Sequence, residues 1–229
     1  MKSNLVLDWA SHKAARYACQ NWHYTGVMPP AGCKIGVWEN GQFIGVVLFG
    51  FGAGASTRGT RYGLKRKGDV AELVRVALRE HQAPVSRIIK IALKMLKESS
   101  PNIRLVISFA DEMGAGHHGG IYQAGNWVYA GTFEGDGGFQ IHGKPVHSKT
   151  VHSRGWKQSV EWLRDHVDPE CKKLPTRKHR YLMPMDKEMR DVVASMAQPY
   201  PKRVKQAASI DQMSGRRGST DPHAPKTGT

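Results

Sequence analysis

Cysteine is scarce in this 229-residue chain, and the three present (Cys19, Cys33 and Cys171) are odd in number, far apart and without CxxC spacing. That excludes a disulfide frame or a cysteine zinc site and points to reduced thiols in a cytosol. No apolar run reaches about 20 residues and no signal peptide precedes Asp8, so neither a membrane span nor secretion is expected. Acidic residues are also few, 19 against 34 Lys and Arg. The resulting formal net charge of +15 favours a polyanionic partner and salt-sensitive binding. There is no internal repeat, and none of the 11 histidines shows HxxxH or HxE spacing.

What is present is organised around Leu105–Gly131. Leu105–Ala110 has the length and residue type of a strand buried on both faces. Asp111 ends it, and a glycine-rich loop follows with His117 and His118 adjacent. A short helix over Gly119–Ala124 then leads into an aromatic strand, Trp127–Phe133. Reactive side chains just past the carboxyl end of a core strand are where open α/β sheets place their sites.

Before this stretch, Leu5–Leu7 reads as a strand, and Ser11 caps a helix with Ala14, Ala15, Ala18 and Cys19 on a small-residue face. Trp22–Gly26 ends it ahead of Pro29-Pro30. Ile35–Trp38 and Phe43–Phe49 form a hairpin across Asn40-Gly41, the pair a type I′ turn needs. Gly50–Gly68 is a loop holding Arg58, Arg61, Lys65, Arg66 and Lys67 with no acid. With Tyr62 among the cations, it suits phosphate contact and base stacking, or is simply a solvated loop. Strand Val70–Leu78 and an amphipathic helix over Pro84–Glu98 complete the approach. Afterwards come a second hairpin, Phe139–His142 with Val146-His147 around Gly143-Lys144, a helix over Ser159–Val167, a strand over Tyr181–Met183 and a helix over Lys187–Ala197. Lys172, Lys173, Arg177, Lys178 and Arg180 make a second basic strip. Residues 1–198 are expected to form one domain with a C-terminal helical extension, and 199–229 a basic tail too poor in apolar residues to order.

This order, with Tyr122-Gln123-Ala124-Gly125-Asn126-Trp127 leading into the aromatic strand, resembles the GNAT (Gcn5-related N-acetyltransferase) fold. It implies a mixed α/β architecture: a twisted, largely antiparallel sheet with helices on both faces. More narrowly, the whole chain, including Trp22-His23-Tyr24-Thr25-Gly26, resembles the Mom family of phage DNA-modification proteins. That resemblance implies an enzyme converting adenine in DNA to its N6-carbamoylmethyl form, shielding phage DNA from restriction in the host cytoplasm. A monomer or a homodimer is compatible with it. The rival readings are an N-acetyltransferase acting on protein or small-molecule amines, and a non-catalytic basic DNA-binding protein.

The resemblance also implies site residues. Tyr122 matches the general-acid tyrosine, with a core aromatic as its alternative role. Asp111 would take a proton from the adenine amine, hold a metal, or only cap its loop. His23 and Tyr24 would lie beside the acceptor, and Arg75 and Ser108 would face the same cleft. A target inside the base stack requires flipping or a single strand, with Tyr24 and Tyr62 as the stacking candidates. The helix from Pro84 would aim its amino end at the pyrophosphate of an acyl-CoA-type donor, with Ser86, Arg87 and Asn126 as its contacts. Yet Arg79–Arg87 has no glycine where the family carries Q/R-x-x-G-x-G/A, and carbamoylmethylation forms an N–CH2 bond whereas acetyl-CoA delivers its carbonyl carbon. Independently of the resemblance, two histidines and a carboxylate drawn from Asp111, His117, His118, His142, His147 and His152, with Asp111, His117 and His118 as the first candidates, would suit ferrous iron, or the histidines are merely exposed.

Overall fold

A computed structural model describes residues 3–51, 59–112, 116–134, 137–146 and 148–202, with only the backbone of Lys149. Arg58, His147 and the expected tail from residue 203 onward lie outside the described residues.

The chain opens with strand β1 (Leu5–Trp9) and helix α1 (His12–Trp22), whose Ser11 cap accepts from the Ala14 N–H at 3.1 Å. Strands β2 (Cys33–Glu39) and β3 (Gln42–Gly50) follow. Their turn has Asn40 at φ 52° and Gly41 at φ 80°, the left-handed pair expected of a type I′ hairpin. Then come β4 (Val70–Leu78), α2 (Val85–Ser99), β5 (Leu105–Asp111), α3 (Gly120–Gln123) and β6 (Val128–Glu134). A small unit follows: β7 (Phe139–Ile141), β8 (Lys144–Val146), α4 (Ser148–Ser153), α5 (Val160–His166) and β9 (Lys172–Lys173). The chain returns through β10 (Arg177–Pro184) to α6 (Lys187–Ala194).

Seven strands form one sheet in the order β1-β2-β3-β4-β5-β10-β6, in which only β4 and β5 run parallel. β10 thus inserts between β5 and β6. Alternate residues of β5 bury on opposite faces. Val106 joins the cluster of Ile88, Ile89, Ala92 and Leu96 from α2, while Leu105 and Ile107 join Met189 and Val193 from α6. On the same face as α6, Ala15, Ala18 and Cys19 of α1 pack on Val46, Leu48 and Ala77. Small side chains there let the helix axis sit close to the strands. The expected architecture, mixed α/β with a largely antiparallel sheet and helices on both faces, is the one observed.

Several details differ from expectation. The second hairpin turns at His142-Gly143, both at positive φ, so Ile141 pairs with Lys144. With β9 and two helices it forms a unit with its own core of Phe139, Ile141, Val151, Leu163 and Cys171. The last strand is longer than expected because β10 is paired on both sides. Beyond α6 the chain stays on the domain. Gln198 N–H donates to the Tyr129 carbonyl at 2.8 Å and the Tyr200 hydroxyl to that of Trp127 at 2.7 Å.

Candidate active site

The parallel ladder between β4 and β5 lasts only four pairs, from Val70–Leu105 to Leu73–Ser108. Past that point β4 bulges: Phe49 of β3 pairs with Leu73 but Leu48 with Arg75, leaving Val74 as the extra residue. The bulge resets the alternation of faces. Leu73 packs toward α2, and so do Val76 and Leu78, whereas Val74 and Ala77 pack toward α1. Arg75, in phase with Ala77, therefore reaches the end of α1 rather than the α2 face that a regular strand would give it.

The parting strands open a cleft of about 460 Å³. His23, Tyr24, Arg75, Asp111, His117, His118 and Tyr122 line it, together with Val85 at the start of α2. Sequence positions as distant as 23, 75, 111 and 122 thus meet at one place. Ser108 is fully buried behind Tyr122.

Arg75 dominates the electrostatics. Its Nη1 is 3.0 Å from both His23 ring nitrogens, and its Nε is buried with no hydrogen-bond partner among the described residues. Burial, then the Arg75 charge, then His117 push the His23 imidazole down to about 4, so it is neutral at pH 7. The Thr25 N–H also meets Nδ1, at 3.2 Å, and its hydroxyl is 3.0 Å away. Arg75 meets both ring nitrogens equally and the Thr25 hydroxyl can accept as well as donate, so these contacts hold the ring in place without selecting one tautomer. Thr25, not given a role from the sequence, thus anchors the Nδ1 side of the ring. The Tyr24 ring lies against His23, tilted by 32° with centroids 4.2 Å apart, meets the His117 ring edge-on at 5.7 Å, and is 63% exposed.

Tyr122 is held from below. Ser108 Oγ lies 2.9 Å from the Leu73 carbonyl and 2.8 Å from the Tyr122 hydroxyl. A carbonyl only accepts, so Ser108 gives its one proton to Leu73 and accepts from Tyr122. The phenol's lone pairs are thereby left for the cleft. Burial pushes Tyr122 up to about 12, which keeps it protonated. The histidine loop is fixed by residues that the sequence did not flag. The Tyr181 hydroxyl donates to the His118 carbonyl at 2.5 Å, with Gln123 Nε2 at 3.3 Å from the same oxygen. Gly119, at φ 84°, packs so tightly that a Cβ there would lie 2.2 Å from the Tyr181 ring.

Two expected cofactor sites do not assemble. Among the described residues no three His, Cys, Asp or Glu side chains converge on a metal position, so Asp111, His117 and His118 line the cleft without forming an iron site. Nor does the segment before α2 fit a pyrophosphate. The Gln82 and Ala83 N–H groups, each 2.8 Å from a Glu39 carboxylate oxygen, are already bound to an anion. Ser86 and Arg87 sit on the first turn of α2, half-buried and exposed, and Asn126 is exposed in the turn after α3 at φ 57°.

The DNA-binding expectations divide. Tyr62, 2% exposed, is packed in the α6-side core and cannot stack on a base. Arg180, 6% exposed, lies over the Phe133 ring and is no surface cation. Tyr62 is buried because the 59–62 turn packs on β4, β5 and β10, and Arg180 because it lies on a strand paired on both sides. Arg61, Lys65, Arg66 and Lys67 are exposed, but the last three lie before the amino end of β4, while the cleft opens at its carboxyl end. Lys172 and Arg177 are exposed, Lys173 sits 4.1 Å from the Phe139 ring centre, and Lys178 is half-buried. Arg177 and Lys178 open β10 at the Asp111 end of β5, beside the cleft.

A sequence model of the Mom protein family matches residues 4–202. The chain is 27% identical over 197 residues to the methylcarbamoylase Mom of Escherichia phage Mu, covering 82% of this chain and 80% of that protein. Among solved structures it is similar to an N-acetyltransferase from Staphylococcus aureus, at 11% identity and TM-score 0.44 over 80% of this chain and all of that one. A GNAT-family acetyltransferase from Streptococcus pneumoniae is similar at 12% identity and TM-score 0.42, over 79% of this chain and 99% of that one.

Proposed function

Because the chain belongs to the Mom protein family, we propose that it is a transferase-like enzyme that modifies adenine in DNA. Its product on this reading is N6-carbamoylmethyladenine, protecting phage DNA from restriction in the host cytoplasm. The observation that carries the reading is the convergence of His23, Arg75, Asp111 and Tyr122 on one cleft.

Adenine N6 is a weak nucleophile inside a base stack, so the base must leave the stack before it reacts. Tyr24, exposed at the mouth and backed by His23, offers the face on which a flipped adenine stacks. The neutral His23 ring, held by Arg75 and Thr25, puts no second cation beside the base. Asp111 takes the proton that N6 loses as the N–CH2 bond forms. Arg75, a cation in a poorly hydrated wall, stabilises negative charge developing on the donor carbonyl. Tyr122, protonated throughout the physiological range, supplies the proton to the leaving group once its hydroxyl turns from Ser108 into the cleft. In balance, one N6–H is replaced by CH2–CO–NH2 and the leaving group departs protonated.

Mass spectrometry of nucleosides from DNA of cells expressing the chain tests this. The expected result is deoxyadenosine carrying a carbamoylmethyl group on N6. Wholly unmodified adenine, with the folded protein present, rejects it. Acetylated peptides or amines would then favour the acetyltransferase reading, and tight DNA binding alone the non-catalytic one.

A further inference from the structure

The peptide segment entering α2 is where a donor's diphosphate would be received if the cleft worked as in other acyl-CoA enzymes of similar architecture. In this chain a carboxylate is already there. Glu39 ends β2 and is 6% exposed. Its two oxygens each accept from a backbone N–H at 2.8 Å, one from Gln82 and the other from Ala83. The next residue, Pro84, has no N–H to offer. The Gln82 amide leads the causes that hold the Glu39 carboxyl below the usual carboxylate range, so it is an anion at neutral pH.

The surroundings have the same sign. A recess of about 510 Å³ adjoins the cleft, sharing Arg79 and His81 with it, and Glu39 and Glu80 both line it. Its one guanidinium, Arg79, donates to Gln42 Oε1 at 2.6 Å and lies over the Trp22 ring. In a protein of net charge +15, the approach to α2 is a locally acidic spot with its amide donors taken. A diphosphate there would have to displace a bidentate carboxylate or sit beside two of them, and like charges at such range repel.

We propose that Glu39 is a specificity-determining residue that closes this position to phosphate, and that the transferred group comes from a phosphate-free donor rather than a coenzyme A thioester. The inference rests on the cleft being the transfer site, but its test does not depend on DNA modification. The full-length protein is titrated with acetyl-CoA and with inorganic pyrophosphate, following the backbone amide resonances of Gln82 and Ala83. The expected result is no saturable shift of either amide up to about 1 mM ligand, a range in which dedicated cofactor sites fill. Binding elsewhere on the basic surface, with those amides unmoved, agrees with it. Saturable binding at tens of micromolar that shifts both amides overturns it.

Glu39→Ala, checked for folding by circular dichroism, should gain at least tenfold in pyrophosphate affinity at these amides, and a folded variant with no gain also overturns it. Should Glu39→Ala fail to fold, the wild-type titration decides alone. Adduct formation by a wild type whose amides ignore acetyl-CoA supports both readings. Adduct formation by one that binds it there overturns both the role of Glu39 and the phosphate-free donor, and leaves the adenine-modification reading standing.

Discussion

The two ends of the β4–β5 strand pair have similar composition and opposite chemistry. At the amino end, Val70–Leu73 and Leu105–Ser108 are laddered and the neighbouring cations are solvated or paired. Lys65, Arg66 and Lys67 are exposed, and Arg104 is bound by Asp186 at 2.7 Å and by Glu188 at 2.6 Å. Toward the carboxyl end, past Leu73 and about 16 Å along β4 at Arg75, the strands have parted. There Arg75 has a buried Nε without a partner among the described residues and a histidine held neutral beside it. Charge density alone marks the first region as strongly as the second. What separates them is desolvation, because a cation in water is content while one in a cleft wall still seeks an anion.

The largest effect expected from this contrast is at Arg75. Arg75→Met should lower the rate of adenine modification on the order of 10²–10³-fold, as loss of a positioned charge-stabilising donor does, with little change in the denaturant midpoint. Rates come from nucleoside mass spectrometry on purified DNA. Asp111→Asn should cost on the order of 10²-fold or more by the same assay, at unchanged DNA affinity. Gly119→Ala should destabilise the fold by about 1–3 kcal/mol in urea, since both the positive φ and the Tyr181 ring oppose the new methyl.

A smaller effect concerns pH. His23 is neutral in the folded protein down to about 4, whereas the unfolded chain takes up that proton near 6.5. Between these values the unfolded state binds more protons, so stability falls as pH drops through the window and this contribution is absent above it. His23→Gln should flatten that slope in a denaturation series, and the His23 ring resonance should titrate near 4. The smallest effect belongs to the amino end. Changing Lys65, Arg66 and Lys67 together to alanine should leave the modification rate at low salt within a few-fold. The slope of log K against log salt should drop by about 0.9 for each phosphate that these side chains no longer neutralise.

Much of the scaffold was legible because local chemistry dictates it. Asn40-Gly41 admits one tight hairpin, Leu105–Ala110 has no polar face to expose, and the apolar stripe of α2 has a helical period. The co-location of His23, Tyr24 and Asp111 followed from the family order of elements. Other features had no local signal. Nothing around Val74 announces a bulge, and simple alternation aims Arg75 at the wrong face. Glu39 reaches 43 and 44 residues ahead to its two amides, a pairing only the closed sheet creates. Tyr62 sits among loop cations, and its burial depends on a core assembled from β4, β5, β10 and α6.

The most direct test sets the two ends against each other in a single experiment: N6-carbamoylmethyl content of DNA from cells expressing wild type, Arg75→Met, or the Lys65/Arg66/Lys67 alanine triple at equal folded protein. The account predicts abundant adduct for the wild type and the triple, and almost none for Arg75→Met. Wild-type adduct levels from Arg75→Met, with loss in the triple, would contradict it.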